Sequence, residues 1–442
     1  MLGNKMRGRV FAAYFVGLLS SLQRKTAESI ATLFSDEDTI GANHQRLVHL
    51  LAGSPWEDEP IRRFAVNYAL AAVADEDPTL FWIVDDTGFV KKGTHSVGVQ
   101  RQYTGTSGKI DNCQIGVSLA AASSQRQLPL DFQLYLGRTW TDDAERRLEA
   151  KIPTDVEFRT KPEIAVQMLR KAVYGGYARR VVLADHGYGN NGPFRRDLTA
   201  LGLDYSVDIG GSTRMWRVDA TDRRRGRPTS AESLGRRLPY ERHTWAEGTQ
   251  RQLASRFAFA RVVVEGDTVA TGEVRPVWCV AEDPFDEAER KSYFLSTLPK
   301  DSSHLEIVRT HMNRWRTERM YQDMKGVFGF DHYEGRRYPG WHHHVSIAMA
   351  AYAFSFAEQA RLFPPQANRP TLRGTVPGSS RTTLPRLDDF DGTAVLWGTA
   401  RMVAGVSGVP PGPFETGIIE HLIGLSAHKS DSSGSRNSLV KQ

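Results

Sequence analysis

Two short apolar runs that end on acidic residues constrain this chain more than any other feature. TLFWIV (79–84) leads into Asp85-Asp86, and RRVVLAD (179–185) closes on Asp185. Apolar runs of this length, without polar alternation, read as strands buried on both faces. Open α/β sheets keep their sites beyond the carboxyl ends of such strands. One acidic strand end is commonplace, but two of them put a pair of carboxylates at one sheet edge.

The neighbouring segments fit such a sheet. NCQIGVSLAA (112–121) and PLDFQLYLG (129–137) read as strands, KPEIAVQMLRKAV (161–173) as a helix, GPFRRDLTALG as a helix and LDYSVDI as a strand. The order β-β-β-α-β-α-β predicts an α/β domain with a mixed sheet. Ahead of it, residues 8–75 carry apolar positions at helical spacing and form an N-terminal helical domain, bounded at 1–78. It reads equally as a DNA-binding module, with Arg24 and Lys25 towards the duplex, or as a structural cap. The first part of the α/β domain spans 79–209. Residues 210–298 turn to short strands and read as an inserted β-rich subdomain. The domain resumes over 299–364 with a long helix (304–330) and a second one (346–363). From 365 to 442 the chain is rich in Pro, Gly, Ser and Thr and reads as a loosely ordered tail.

Composition adds limits. In 442 residues, 57 Lys plus Arg face 51 Asp plus Glu, a mild basic excess that alone says little about a polyanionic partner. The basic residues cluster as RRRGR (223–227), KK (91–92) and GRR (335–337), each of which, taken singly, reads as a solvated loop. Cys113 and Cys279 are too few for a disulfide framework or a zinc site, which fits a reducing compartment. The N-terminus has positive charge followed by an apolar stretch, but Tyr14 and Gly17 interrupt it and it continues as an amphipathic helix, against a signal peptide. No run reaches membrane-spanning length, so a cytoplasmic protein is expected.

Asp85, Asp185 and a third carboxylate from a helix crossing the sheet edge would supply hard oxygen ligands to Mg²⁺ or Mn²⁺. Two ions about 3.5–4 Å apart suit in-line displacement at phosphorus. The helix 304–330 offers the third group. His311, Arg314, Glu318 and Lys325 are spaced for one helical face, combining a carboxylate ligand with phosphate-clamping cations. Taken alone, that face is also what an exposed, ion-paired helix carries.

Three stretches, WIVDDTGFVKKGTHSVGVQRQYTGTSGKIDNCQIGVSLA, VVLADHGYGNN and NRWRTERMYQDMKGVFGFDHYEGRRYPGWHHHVSIAMAAYA, resemble bacterial insertion-sequence transposases of family seven hundred and one, in the DDE superfamily. The resemblance takes in RKTAESIATLF and HTWAEGTQRQLASRFAFARV and covers roughly residues 8–363. It implies an RNase H-like fold split by a β-rich insertion, with the three carboxylates at Asp85, Asp185 and Glu318. Asp86 is the alternative to Asp85; the motif Asp, any residue, then Thr or Ser favours Asp85-Asp86-Thr87. Arg314, Glu318 and Lys325 match a Tyr, Arg, Glu, Lys helix signature, with His311 in place of the tyrosine.

The resemblance further implies a nuclease and strand transferase acting on transposon terminal inverted repeats and target DNA, as a homodimer in a synaptic complex. Trp245 is a candidate for stacking on a flipped base, or for packing in the insertion. Lys91, Lys92, Arg101 and Lys109 are candidate phosphate contacts. His342, His343 and His344 are adjacent on a helix start and cannot all face one ion. Beyond 364 the resemblance ceases. The sequence leaves open a nuclease without strand transfer, a silent DNA-binding relative, the DNA ends recognised and whether excision uses a hairpin.

Overall fold

A computed structural model describes residues 2–73, 81–123, 126–247, 252–267, 275–285 and 291–362; the tail expected over 365–442 lies outside them. Four helices open the chain: α1 (Lys5–Leu19), α2 (Ala27–Leu33), α3 (Ile40–Ala52) and α4 (Glu59–Ala72). Their starts have local causes. Asn4 and Thr26 accept the backbone N–H three residues on, and Pro60 sits in the first turn of α4, where its missing donor costs nothing.

The sheet begins with β1 (Phe81–Val90), β2 (Gln100–Thr104), β3 (Lys109–Ala122) and β4 (Gln127–Leu134). Short helices α5 (Arg138–Thr141) and α6 (Ala144–Glu149) lead to α7 (Lys161–Tyr174), opened by a reciprocal capping box between Thr160 and Glu163. Then come β5 (Val182–Ala184), α8 (His186–Gly189), α9 (Gly192–Ala200) and β6 (Tyr205–Ile209). β1, β3 and β4 are antiparallel neighbours, and β5 and β6 join β1 in parallel. This is the mixed sheet of an RNase H-like fold. β2 pairs the first half of β3 and β4 pairs the second half, so a hairpin projects beyond the sheet proper.

The inserted strands prolong this sheet. β7 (Arg214–Val218), β8 (Arg224–Ser230), α10 (Ala231–Gly235), β9 (Glu241–Glu247), β10 (Gln252–Val264), β11 (Val277–Asp283) and β12 (Ser292–Ser296) follow, and β12 pairs β6 antiparallel. The full order is β2-β3-β1-β5-β6-β12-β11-β10-β7-β8, with β4 on β3 and β9 on β10. The RRRGR run is therefore the start of edge strand β8, where exposed charge discourages edge-to-edge pairing. α11 (His304–Met312), α12 (Arg316–Phe328) and α13 (Tyr338–Leu362) complete the described chain.

α13 is buried along almost its whole length, and α1, α3 and α4 pack around it. Arg62 of α4 ties these layers together, bonding Asp58, Ser346 of α13 at 2.8 Å and Asp131 of β4 at 3.0 Å. Buried charge of this kind is tolerated only when paired. Lys25 caps α1, its ammonium donating to the carbonyls of Leu18, at 2.7 Å, and Ser20. A smaller core of Phe257, Trp278, Val280, Phe294, Leu298, Ile307 and Val308 seats α11 on the inserted strands. Among the described residues no helix is long and apolar enough to cross a membrane.

Two expectations need correction. β1 does not end at Asp85-Asp86 but continues to Val90, because β3 pairs it over its full length. The edge is real only on the β5 side, where pairing stops at Val84–Ala184. The helix over 304–330 is not continuous either: a 3₁₀ turn at Asn313–Trp315 separates α11 from α12, and such interruptions change the phase of a helical face.

Candidate active site

Asp85 and Asp86, being consecutive in a strand, point to opposite faces. Ser118 lies directly opposite Asp85 in β3, and its hydroxyl is 2.6 Å from the Tyr321 hydroxyl of α12. Asp86 instead meets α7: its Oδ2 is 2.9 Å from Lys161 Nζ and accepts from the Tyr188 hydroxyl at 3.4 Å. So α12 covers the Asp85 face and α7 the Asp86 face.

Asp185 follows the last residue of β5 and caps α8, accepting from Gly187 N at 2.9 Å. It lies near enough to Asp85 to act on its charge. Burial, then Asp86, then Asp185 push the Asp85 carboxyl up to about 7, against the Asp86 amide and Arg314. Asp86 has a lysine partner, whereas the stabilising contact of Asp85 is a backbone N–H at 2.8 Å.

The turn between α11 and α12 carries the Arg314 guanidinium to this edge. Arg314 Nε is 3.2 Å from Asp208 Oδ2, and His311 Nε2 is 2.9 Å from Asp208 Oδ1. Burial would raise the Asp208 carboxyl, but His311 and then Arg314 hold it below its ordinary value. His311 is buried, stacked on Phe294 at 3.8 Å, with Nδ1 3.0 Å from the Ser206 hydroxyl. The inward position leaves no nitrogen of His311 for DNA.

Glu318 is exposed on α12. It precedes Tyr321 by three residues and Lys325 by seven, so it belongs to the helix face that looks onto β1. Lys325 Nζ donates to the Gly88 carbonyl at 2.8 Å and lies 3.1 Å from the Thr106 hydroxyl. Burial lowers its pKa, with Asp331 opposing. The ligand atoms of Asp85, Asp185 and Glu318 do not converge within 4.8 Å of one another. The oxygen-only donor set nevertheless suits a hard divalent cation.

The remaining candidates divide by environment. Arg101 and Lys109 are exposed on the β2–β3 hairpin, beside Tyr103 and Ile110. Lys92 is exposed after β1, while Lys91 donates to the Tyr333 carbonyl at 2.6 Å. Arg24 is exposed and ion-paired with Glu334, whereas Lys25 is buried as the α1 cap, which removes it from any DNA surface. Trp245 is half-buried edge-on to Phe257 at 5.8 Å, in the core beneath α11. The three histidines go separate ways: His343 contacts the Leu51 and Trp56 carbonyls, His344 contacts Tyr14 and the Phe330 carbonyl, and His342 lies near Asp58.

Sequence reasoning missed Asp208, although LDYSVDI carries the same signal as RRVVLAD, an apolar strand with an aspartate near its end. Lys161 and Tyr321 were also missed, since nothing local marks a helical lysine or tyrosine as facing a particular strand.

An α/β sheet with carboxylates where the parallel pairing of β1 and β5 stops, and an arginine brought beside them by the turn between α11 and α12, defines a candidate phosphodiester-cleaving site. The family described as DDE superfamily endonuclease matches residues 1–265, and the chain belongs to it. A curated relative, the probable transposase for insertion sequence element IS701 of Microchaete diplosiphon, is 28% identical over 331 residues, covering 74% of this chain and 77% of the relative. Among solved structures, the piggyBac transposase synaptic complex with hairpin DNA is similar at 12% identity and a TM-score of 0.46, covering 99% of this chain and 78% of that one.

Proposed function

We propose that this endonuclease-family chain is a DNA transposase that cuts transposon ends and joins the freed 3′-OH to target DNA, with Asp85, Asp185 and Glu318 as its metal ligands. The observation that carries the reading is the placement of Asp85 and Asp185 where the parallel pairing of β1 and β5 stops, with the Asp85 carboxylate held by a backbone N–H. Two Mg²⁺ or Mn²⁺ ions held by the three carboxylates would supply the charge that activates the attacking oxygen and stabilises the leaving one.

The chain's own groups do the rest. Arg314, held by Asp208 and through it by His311, presents a guanidinium beside the carboxylates, where a scissile phosphate would lie. Lys325 fixes α12 to β1 and to the hairpin, and so holds the Glu318 face against the strand that bears Asp85. Arg101, Lys109 and Lys92 form an exposed basic surface for the duplex backbone. On this reading residues 1–78 act as a helical domain, 210–298 as the insertion, and two copies pair two ends in the bacterial cytoplasm. The name of the curated relative supports transposition rather than cleavage alone.

The test is incubation of the full chain with flanking inverted repeats, target plasmid and Mg²⁺, followed by mapping of products. Joined ends with free 3′-OH intermediates are expected. Cleaved ends that never join would reduce the activity to a nuclease, and uncut DNA bound tightly would make the chain a DNA-binding protein only.

A further inference from the structure

Away from the carboxylate edge, Glu241, His243 and His304 bring one ligand atom each within 4.8 Å of one another. Glu241 and His243 are two apart in β9 and share a face of that strand. His304 is the first residue of α11, which packs on β9. Glu241 Oε1 is 3.0 Å from His243 Nε2 and also accepts from His304 Nδ1. One carboxylate oxygen therefore faces a nitrogen of each of two imidazoles, drawn from elements about sixty residues apart in sequence.

The rings are held from behind. His304 stacks on Phe259 at 3.8 Å with an interplanar angle of 4°, and Trp278 meets it edge-on at 5.6 Å. His243 lies edge-on to Phe259 at 5.7 Å. The aromatic wall fixes both imidazoles, while Glu241 is exposed and leaves the front of the cluster open to solvent.

The geometry points to a transition-metal site, best suited to Zn²⁺, held by His243, His304 and Glu241 with an open position for water. Two imidazoles and one carboxylate form a recognised three-ligand zinc set. Imidazole nitrogen favours zinc and its neighbours in the first row over Mg²⁺, which prefers oxygen. The site differs in ligand chemistry and in location from the one proposed for DNA cleavage. Its ion would clip inserted strand β9 to the start of α11, the helix that leads through Arg314 to Glu318. A cation at a helix N-terminus meets an opposing dipole, and the Glu241 carboxylate offsets it.

The test uses untagged full-length protein, stripped with chelator and titrated with Co²⁺ in excess Mg²⁺. One Co²⁺ per chain with a visible absorption band of low-coordinate cobalt, displaced by Zn²⁺, is expected. Zn²⁺ should also raise Tm by a few degrees. His243→Ala and His304→Ala should lose the band, and Asp85→Asn with Asp185→Asn should keep it. Glu241→Gln, which preserves shape should an alanine variant fail to fold, should bind at least about tenfold more weakly, since even outer-shell changes cost that much. No Co²⁺ band, binding indifferent to the histidines, or binding lost with the aspartates would overturn the assignment.

Discussion

Lys161 Nζ sits 2.9 Å from Asp86 Oδ2, so of two adjacent aspartates in β1 it is Asp86 whose charge the protein itself neutralises. Asp85, on the other face, has its carboxyl raised to about 7 by burial and by its acidic neighbours. On the proposed reading Asp85 is the metal ligand and Asp86 is structural. Asp85→Asn should lower cleavage by several kcal/mol of transition-state stabilisation, more than about a hundredfold. Asp86→Asn should retain most of the rate and lose stability. A cleavage assay beside urea unfolding separates the two, and the reverse pattern would reassign the ligand.

Arg314 and Asp208 make the next prediction. Arg314→Ala should slow cleavage roughly a hundredfold, the scale of one transition-state charge contact. His311→Ala acts on Asp208 rather than on DNA, so it should cost about 1–3 kcal/mol of stability by removing a buried hydrogen bond and stacking. His311→Gln should recover part of that. If His311→Gln weakened DNA binding while leaving stability unchanged, the inward role given to His311 would be wrong.

How much of this was legible in sequence depended on what each side chain announced locally. The buried strands at Trp82–Val84 and Val182–Ala184 are apolar throughout and were readable. Strands β2, β7 and β8 were not, because QRQYT, RMWRV and RRGRPTS sit near sheet edges and lack a clean apolar alternation. Lys25 and His311 looked like DNA contacts because charge type says nothing of direction; in the fold one caps a helix and the other stacks in a core. The break at Asn313–Trp315 lies beside the contacts of Arg314 and His311 with Asp208, which only the tertiary fold reveals.

The β2–β3 hairpin carries the exposed cations Arg101 and Lys109 beside the sheet edge. Replacing both with Ala should flatten the dependence of log binding constant on log salt by about 0.9 for each phosphate that they neutralise. Folding should be unaffected, since neither side chain is buried. An unchanged salt slope in a filter-binding or anisotropy titration would make them surface charge only.

Burial holds His342 and His344 neutral, lowering each from 6.5 to about 4. The unfolded chain takes up protons near 6.5 while the native chain does not, so stability is lost as pH falls from about 6.5 to 4. The scale is on the order of 3 kcal/mol per histidine. Asp58, held low by Arg62 against its burial, contributes only below that window. Urea unfolding across this range should show the loss, and His344→Gln should make it shallower; equal slopes in the two proteins would contradict the assignment.

On the proposed reading Asp85, Asp185 and Glu318 act as one metal-binding set, with the exposed Glu318 supplied by α12. The direct measurement is the single-turnover rate of transposon-end cleavage by Glu318→Gln in saturating Mg²⁺, with end binding measured on the same preparation. Binding should be unchanged, because phosphate contacts supply most of the affinity, and the rate should fall by more than about a hundredfold. Cleavage at the wild-type rate would show that Glu318 is not a ligand and that the site lies with Asp85, Asp185 and another group.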